Sequence, residues 1–218
     1  MEFGRLKNII ILFALHSYIG IEWETLEIVL KHPFDWQLLT TNYIIEEPWL
    51  SFRVDRFQMP NGRIVDPYYI IESRDWVNVV AVTLAEEIIL VRLYRPGIQK
   101  TILEIPGGVV DGEDESLVTA VSRELLEETG YHSDDITLVG QGAPDPARYD
   151  NYAYYFLARN ARKVAEPAWD ENEEMEILLT PIPEVIEMLL DGRIQNGMQQ
   201  NALFYALAAL GKMRFEIE

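Results

Sequence analysis

The chain has 218 residues, and its 36 acidic side chains outnumber 18 basic ones, which gives a formal net charge of −18 at pH 7. No strong basic stripe is present, which argues against a protein that binds nucleic acid through phosphate contacts. There is no cysteine, so disulfides, thiolate metal sites and cysteine nucleophiles are excluded. The length suggests one large domain or two small ones, and hydrophobic residues make up 49% of the chain, enough to build a core. We expect a cytoplasmic location.

An apolar run, Asn8–Leu15, follows two basic side chains near the N-terminus. The run resembles the core of a signal peptide, but Glu2 lies in the charged region and no clear cleavage site follows. It is also shorter than the roughly 20 residues that cross a bilayer, so we expect no membrane partner. A buried or dimer-facing helix or strand is the alternative, and residues 1–34 are treated as an extension of unknown role.

From residue 35 the pattern becomes typical of β-strands. Three runs rich in aromatic and β-branched residues follow one another, separated by Pro48 and by Pro60-Asn61-Gly62: Gln37–Ile45, Trp49–Phe57 and Ile64–Glu72. The second separator is a strong turn signal. We therefore predict a meander of antiparallel strands over residues 35–73.

The middle of the chain changes period. Two apolar runs, Val77–Leu84 and Glu87–Tyr94, flank a tight connection and predict a central hairpin. Between Glu113 and Thr129 apolar residues recur at helical spacing, and Gly130 stands where a helix C-cap belongs. Strand character then returns, and two closing helices follow: Ile136–Gly140, Tyr152–Ala158, Pro183–Leu190 and Gln199–Leu210. Strands before, between and after a helix indicate an α+β fold with a mixed sheet, preceded by the antiparallel unit.

The predicted central helix carries an acidic face. At 100° per residue three glutamates project from one side: Glu124, Glu127 and Glu128. Like charges at this spacing destabilise a bare helix. Their clustering is explained if a bound divalent cation offsets the repulsion between them. Carboxylate and carbonyl oxygens suit Mg²⁺ or Mn²⁺. A solvated acidic face is the alternative, and it is disfavoured by Arg123 before the cluster, Gly130 after it and the Gly107-Gly108 loop upstream.

The segment Arg123–Tyr131, Arg-Glu-Leu-Leu-Glu-Glu-Thr-Gly-Tyr, resembles the second half of the Nudix hydrolase box, Gly-x5-Glu-x7-Arg-Glu-U-x-Glu-Glu-x-Gly-U, where U is aliphatic or aromatic. Glu115 falls at the first glutamate of the box. Six residues separate Gly108 from Glu115 where the box has five, so this loop carries one extra residue. Glu113 is the alternative for the first-glutamate position.

This resemblance implies a fold and a chemistry. It implies a Nudix-type α/β/α sandwich over residues 74–218 and a pyrophosphohydrolase that uses Mg²⁺ or Mn²⁺ and an attacking water. Arg123 would orient the glutamates by ion pairs and, like Glu127, would belong to the catalytic group. The metal ligands implied by position are Glu124, Glu127, Glu128, Glu115 and the backbone carbonyl of Gly107.

Features outside the box resemble the ADP-ribose pyrophosphatase branch. Leu90–Gly97 matches a strand-end motif in which Arg95 would reach a substrate phosphate, and Leu103–Gly108 matches the segment that enters the box. Pro146 lies where this branch tends to place a proline, although an ordinary loop proline is an equal interpretation. The implied substrate is ADP-ribose or a related nucleoside diphosphate sugar. GDP-mannose, FAD, a dinucleoside polyphosphate and a non-catalytic nucleotide-sugar sensor remain alternatives.

The same branch implies a base, a stacking surface and an assembly. Its late acidic loop implies Glu171 or Glu173 as the general base, which must come within hydrogen-bond reach of the attacking water. Trp49, with Tyr68 or Tyr69, would stack on the base of the nucleotide, or these rings are sheet or dimer core. The branch also implies a homodimer formed through the N-terminal unit.

Overall fold

The structure is a computed structural model that describes residues 32–169 and 174–214. The predicted extension of residues 1–34 therefore lies almost wholly outside the described residues. The strands are β1 (Gln37–Glu47), β2 (Leu50–Gln58), β3 (Ile64–Glu72), β4 (Trp76–Thr83), β5 (Glu87–Arg95), β6 (Lys100–Glu104), β7 (Gly107–Val109), β8 (Tyr131–His132), β9 (Asp135–Gly142), β10 (Ala153–Lys163) and β11 (Met175–Pro181). The helices are α1 (Leu117–Thr129), α2 (Ile182–Leu190) and α3 (Gly197–Ala209).

Strands β1, β2 and β3 form a three-stranded antiparallel sheet in chain order, as the meander prediction required. The turn between β2 and β3 closes at the predicted Pro60-Asn61-Gly62. The backbone N–H groups of Met59 and Gly62 donate to Arg63 and Met59 carbonyls, each at 2.9 Å. Gly62 has φ +84°, a conformation that glycine adopts without strain. The residues of this turn therefore favour the antiparallel pairing of β2 with β3.

The second sheet has eight strands and mixed direction. Its order is β11-β5-β4-β10-β8, with β6 on β5, β7 on β4 and β9 on β10. Strands β4 and β10 run parallel, and the other pairs are antiparallel. The predicted central hairpin is reduced to its turn, because β4 and β5 pair only at Val82 and Ile88. Along the rest of their lengths β4 pairs with β10 and β7, and β5 pairs with β11 and β6, so β4 and β5 diverge beyond the turn.

Alternation along β4 builds the two layers of the core. Val77, Val79 and Ala81 pack with helix α1 on one face of the sheet. Val80 and Val82 pack with α2 and α3 on the other face. Successive strand residues point to opposite faces, which is why one largely apolar strand serves both layers. The predicted α/β/α sandwich with a mixed sheet is thus confirmed. In the part of the chain that the structure describes, no helix has the length and apolarity needed to cross a membrane.

Helix α1 ends as predicted and begins later than predicted. The Ser116 side chain accepts from the Thr119 N–H at 3.1 Å and caps the N-terminus, so Glu113 and Glu115 lie before the helix. At the other end, Gly130 has φ +73° and donates to the Leu126 carbonyl at 2.8 Å. A Cβ at residue 130 would lie 2.1 Å from a neighbouring carbonyl oxygen, so only glycine fits there.

Candidate active site

One cavity of about 1320 Å³ lies where the glycine loop, helix α1 and the end of β5 meet. Residues from several separate parts of the sequence line it, from Trp49 in the β1–β2 turn to Glu176 in β11. They include Trp49, Arg95, Glu124, Glu127 and Glu128. The volume exceeds the roughly 300–1000 Å³ of most small-molecule pockets, so a ligand with several linked groups fits.

Arg123 is anchored by a carboxylate that the sequence did not single out. Asp114 accepts from Arg123 Nε at 3.2 Å and from Nη2 at 2.9 Å, and its side chain is almost fully buried. The hydrogen bond from Arg123 holds the pKa of Asp114 below its ordinary value. The same bond is the main reason why the pKa of Arg123 is raised, so both groups are charged over the whole working pH range.

From this anchor Arg123 reaches two of the three glutamates. Its Nη1 donates to Glu124 Oε1 at 2.9 Å and to Glu127 Oε2 at 3.1 Å. Its Nη2 also donates to the Val109 carbonyl at 3.2 Å, which ties the helix to the glycine loop. One guanidinium therefore fixes the direction of both carboxylates, using the planar fork that lysine lacks.

The glycine loop lies directly against the acidic side chains. Glu128 is only 7% exposed and accepts from the Gly107 N–H at 3.0 Å. A Cβ on Gly108 would lie 2.5 Å from the carboxylate carbon of Glu124, and one on Gly107 would lie 2.3 Å from the Val77 carbonyl oxygen. Gly108 thus allows the close approach of the backbone to the Glu124 carboxylate, and Gly107 allows the close approach of β7 to β4.

The donor set fits a hard divalent cation. The carboxylates of Glu124, Glu127 and Glu128 face one cavity together with Gly107, and oxygen ligands are those that Mg²⁺ and Mn²⁺ prefer. Within residues 32–169 and 174–214 no three acidic or histidine side chains are already grouped in ligating geometry. The carboxylates of Glu124 and Glu127 instead accept hydrogen bonds from Arg123, and the carboxylate of Glu128 accepts one from the Gly107 N–H.

Glu115 lies apart from this group. It is exposed, it does not line the cavity, and among the described residues it forms no hydrogen bond or ion pair. Asp114, one position earlier, takes the contact with Arg123 instead. In the box the first glutamate is the sixth residue after the glycine. Here the extra loop residue makes Asp114 the sixth residue after Gly108 and Glu115 the seventh.

Arg95 lines the cavity and is held from behind by a buried acid. Its Nε and Nη2 donate to Glu104 Oε1 and Oε2 at 3.0 and 2.6 Å. Sequence reasoning missed Glu104, although it alternates with Ile102 on β6 and so shares the buried face of that strand. It also missed Asn196 and Gln199, which donate to the same carboxylate and carry no local signal in the sequence.

Of the three predicted stacking residues, the structure brings one to the cavity. Trp49 lines it and is 70% exposed, and the guanidinium of Arg74 lies 4.9 Å over its ring. Tyr68 packs against other rings of the N-terminal sheet and donates to the Ala147 carbonyl at 3.0 Å. Tyr69 stacks on Phe52 at 5.7 Å. Neither tyrosine lines the cavity, so within this chain both are sheet contacts.

The two candidate bases, Glu171 and Glu173, lie outside the described residues. Ala168 and Glu174, which lie close to either end of that segment, line the cavity. Ala168 donates its N–H to the Glu127 carbonyl at 2.8 Å, and Trp169 Nε1 donates to the Glu128 carbonyl at 2.8 Å. Described residues on both sides of residues 170–173 therefore lie at the cavity.

Comparison with known proteins agrees with this geometry. The NUDIX domain model matches residues 74–197, which is more than half of the chain. The chain belongs to the Nudix family. A second model, described as the nucleoside diphosphate sugar hydrolase N-terminal domain, matches residues 36–71 of this Nudix hydrolase.

Two relatives of the Nudix chain align over most of their length. The methanol dehydrogenase activator of Bacillus methanolicus is 28% identical, covering 79% of this chain and 92% of the relative. The ADP-ribose pyrophosphatase of Bacillus subtilis is 29% identical, covering 72% and 84%. The GDP-mannose pyrophosphatase of Yersinia enterocolitica is 31% identical, covering 48% and 55%. A crystal structure titled ADP compounds hydrolase shares the fold, with a TM-score of 0.69, 20% identity and coverage of 82% and 97%.

Proposed function

We propose that this Nudix hydrolase cleaves the diphosphate bond of ADP-ribose or a closely related nucleoside diphosphate sugar. From ADP-ribose the products would be AMP and ribose 5-phosphate. The observation that carries the proposal is one cavity lined by Arg95, by the glutamates of α1 and by Trp49. A diphosphate offers anionic oxygens to a guanidinium and to bound cations, and a nucleobase offers a flat face to an indole ring.

The choice of ADP-ribose rests on the extent of the alignments. The Bacillus subtilis ADP-ribose pyrophosphatase aligns over most of both chains, whereas the Yersinia GDP-mannose pyrophosphatase aligns over about half of each. The N-terminal sheet, which carries Trp49, also matches the nucleoside diphosphate sugar hydrolase model. These observations favour a nucleoside diphosphate sugar and, among such sugars, ADP-ribose.

Each part of the cavity has a proposed role. Glu124, Glu127 and Glu128, with the Gly107 carbonyl, would hold Mg²⁺ or Mn²⁺, which when bound neutralises a diphosphate and makes a metal-bound water more acidic. Arg123 keeps the carboxylates of Glu124 and Glu127 directed together. Arg95 binds a phosphate oxygen and stabilises the charge that develops there.

The remaining roles complete the reaction. Glu171 or Glu173, in the segment between two cavity-lining residues, would accept the proton of the attacking water. Trp49 would stack on the base and fix the nucleoside end of the substrate. Glu115, exposed and outside the cavity, is not needed for any of these steps.

A substrate panel tests the proposal. The chain is incubated with Mg²⁺ and each of ADP-ribose, GDP-mannose, FAD and a dinucleoside polyphosphate. A phosphatase then hydrolyses the phosphate monoesters that are formed, and the inorganic phosphate released is measured. We expect ADP-ribose to give the highest kcat/KM, with activity lost in EDTA and restored by Mg²⁺. A preference for GDP-mannose would contradict the substrate and keep the chemistry. Failure to hydrolyse any of them with Mg²⁺ or Mn²⁺ would contradict both.

A second function is favoured by the relative from Bacillus methanolicus, whose name is that of an enzyme activator and which aligns over more of its length than the pyrophosphatases do. In that case the chain would bind a nucleotide sugar and regulate a protein partner. Tight binding of ADP-ribose by calorimetry, together with no turnover of it in the panel, would support this function over hydrolysis.

We also propose a homodimer formed through the N-terminal sheet. Seven large apolar side chains on its strands are between 40% and 62% exposed: Leu38, Tyr43, Ile44, Ile45, Leu50, Ile64 and Tyr69. So many exposed apolar side chains on one small sheet are typical of an interaction surface. A second copy of the chain would cover them, in the arrangement that the family resemblance implies.

A further inference from the structure

Glu104 is a carboxylate that the fold buries directly behind the cavity. It ends strand β6 and is 1% exposed. Its Oε1 accepts from Arg95 Nε at 3.0 Å and from Asn196 Nδ2 at 3.3 Å. Its Oε2 accepts from Arg95 Nη2 at 2.6 Å and from Gln199 Nε2 at 3.0 Å. A buried charge is tolerated only with such complete pairing, so the network specifies one geometry.

The pair of Arg95 and Glu104 leads from the cavity into the core. Arg95 lines the cavity and its side chain is 39% exposed, whereas Glu104 does not line it. Both nitrogens of one guanidinium edge are bound by the carboxylate, which fixes the plane of the group. A long arginine side chain that is fixed before substrate binds loses less conformational freedom on binding.

The same network reaches the glycine loop. Gln199 lies in the first turn of α3 and is 3% exposed. Its Oε1 accepts from the Ile105 N–H at 2.7 Å, two residues before Gly107, whose own N–H donates to Glu128. One buried amide thus links the anchor of Arg95 to the start of the loop that contacts the acidic helix.

We propose that Glu104 is a positioning residue that fixes the Arg95 guanidinium toward the substrate diphosphate, and that Gln199 keeps this arrangement in register with the glycine loop. The inference rests on the proposed function, because it concerns how Arg95 meets a diphosphate. It predicts the opposite of a simple charge argument. Removing the negative charge of Glu104 would strengthen anion binding if net charge alone decided it, whereas loss of positioning weakens it.

A double-mutant cycle between Glu104→Gln and Arg95→Lys tests the proposal in the full chain. The lysine retains a cation beside Glu104 but lacks the fork that Glu104 orients. We measure kcat and KM for ADP-ribose with Mg²⁺, and the Kd of α,β-methylene ADP-ribose by calorimetry. In the chain that keeps Arg95, Glu104→Gln is expected to lower kcat/KM and to raise Kd by about tenfold each. In the background that already carries Arg95→Lys, the same change should alter either quantity by less than about twofold.

Ser133→Ala is the matched control. Ser133 is buried, its hydroxyl donates to the Arg159 carbonyl, and it does not line the cavity. It should lower Tm and leave kcat/KM unchanged, which separates a stability effect from a positioning effect. If Glu104→Gln is not folded by circular dichroism, Gln199→Met makes the same comparison with one buried amide removed, and a loss of about threefold is expected.

Two results would overturn the inference while the proposed function stands. One is a hydrolytically active wild-type chain in which Glu104→Gln leaves Kd unchanged or lowers it. The other is an equal loss whether or not the chain carries Arg95→Lys, which would mean that Glu104 acts independently of Arg95. A wild-type chain that neither hydrolyses ADP-ribose nor binds the analogue would instead refute the proposed function.

Discussion

The position of the Arg123 anchor gives a prediction that separates this structure from the family pattern. The Nudix box places its first glutamate at residue 115, but in the structure it is Asp114 that forms the ion pair with Arg123. Asp114→Asn keeps the volume and removes the charge from two hydrogen bonds of 3.2 and 2.9 Å. Charge-assisted hydrogen bonds contribute about 1.5–3 kcal/mol each, and the asparagine retains one acceptor, so we expect a loss of about 2 kcal/mol in the free energy of unfolding.

Urea denaturation at pH 7 measures this loss. With an m-value of about 2 kcal/mol per molar, the midpoint should fall by about 1 M. Glu115→Gln is the control one residue away, and because Glu115 is exposed and forms no hydrogen bond or ion pair with the described residues, its effect should stay within about 0.5 kcal/mol. A large loss for Glu115→Gln with little change for Asp114→Asn would refute the reasoning, because the loop would then follow the family register.

The pH dependence follows from the direction of the Asp114 shift. Its pKa is lowered in the folded chain by the hydrogen bond from Arg123. A depressed pKa contributes stability that is fully present above the unfolded-state value of about 3.9 and is lost as the pH falls through the folded-state value. The difference in stability between wild type and Asp114→Asn should therefore be constant near neutral pH and shrink on acidification below about pH 4.

Four further outcomes are expected. Glu127→Gln should lower kcat by at least about a hundredfold with Tm nearly unchanged, because its side chain is 46% exposed and proposed to hold metal; near-wild-type turnover would remove it from the ligand set. Gly108→Ala should cost activity by pushing the Glu124 carboxylate aside, whereas Gly112→Ala, which meets nothing within 4 Å, should not; equal kinetics for the two would contradict the close approach. Ile44→Lys should halve the mass measured by light scattering, and an unchanged mass would place the dimer contact elsewhere. Trp49→Ala should raise KM about tenfold with little change in kcat, and an unchanged KM would exclude base stacking there.

Local patterns predicted most of the elements, and non-local pairing explains the errors. The strand Ile64–Glu72 and the C-cap at Gly130 are as predicted, because alternation and turn glycines act within a few residues. The central hairpin is present but short, with β4 and β5 paired only at Val82 and Ile88, since β4 pairs along most of its length with β10, which comes much later in the chain. Short strands such as Gly107–Val109 were missed, because a glycine pair has no strand propensity and pairs only through its neighbour β4.

The site was predicted in part for a similar reason. The spacing of Glu124, Glu127 and Glu128 on a helix is a local property, and the structure places all three at one cavity. The buried partners were not visible, because Glu104 meets Arg95 across two strands and Gln199 arrives from a helix 95 residues later. Glu115 was predicted at the first-glutamate position, whereas in the structure Asp114 forms the ion pair with Arg123. The one-residue insertion changes which side chain faces the arginine, although the rest of the motif is still recognisable in the sequence.

The central claim is that the glutamates of α1 gather divalent ions against a diphosphate held by Arg95. A crystal grown with Mn²⁺ and α,β-methylene ADP-ribose tests it most directly, because Mn²⁺ is located by its anomalous scattering. We predict anomalous peaks within about 2.2 Å of carboxylate oxygens of Glu124, Glu127 or Glu128, with a phosphate of the analogue hydrogen-bonded to Arg95. Peaks elsewhere, or an analogue bound away from this cavity, would contradict the account.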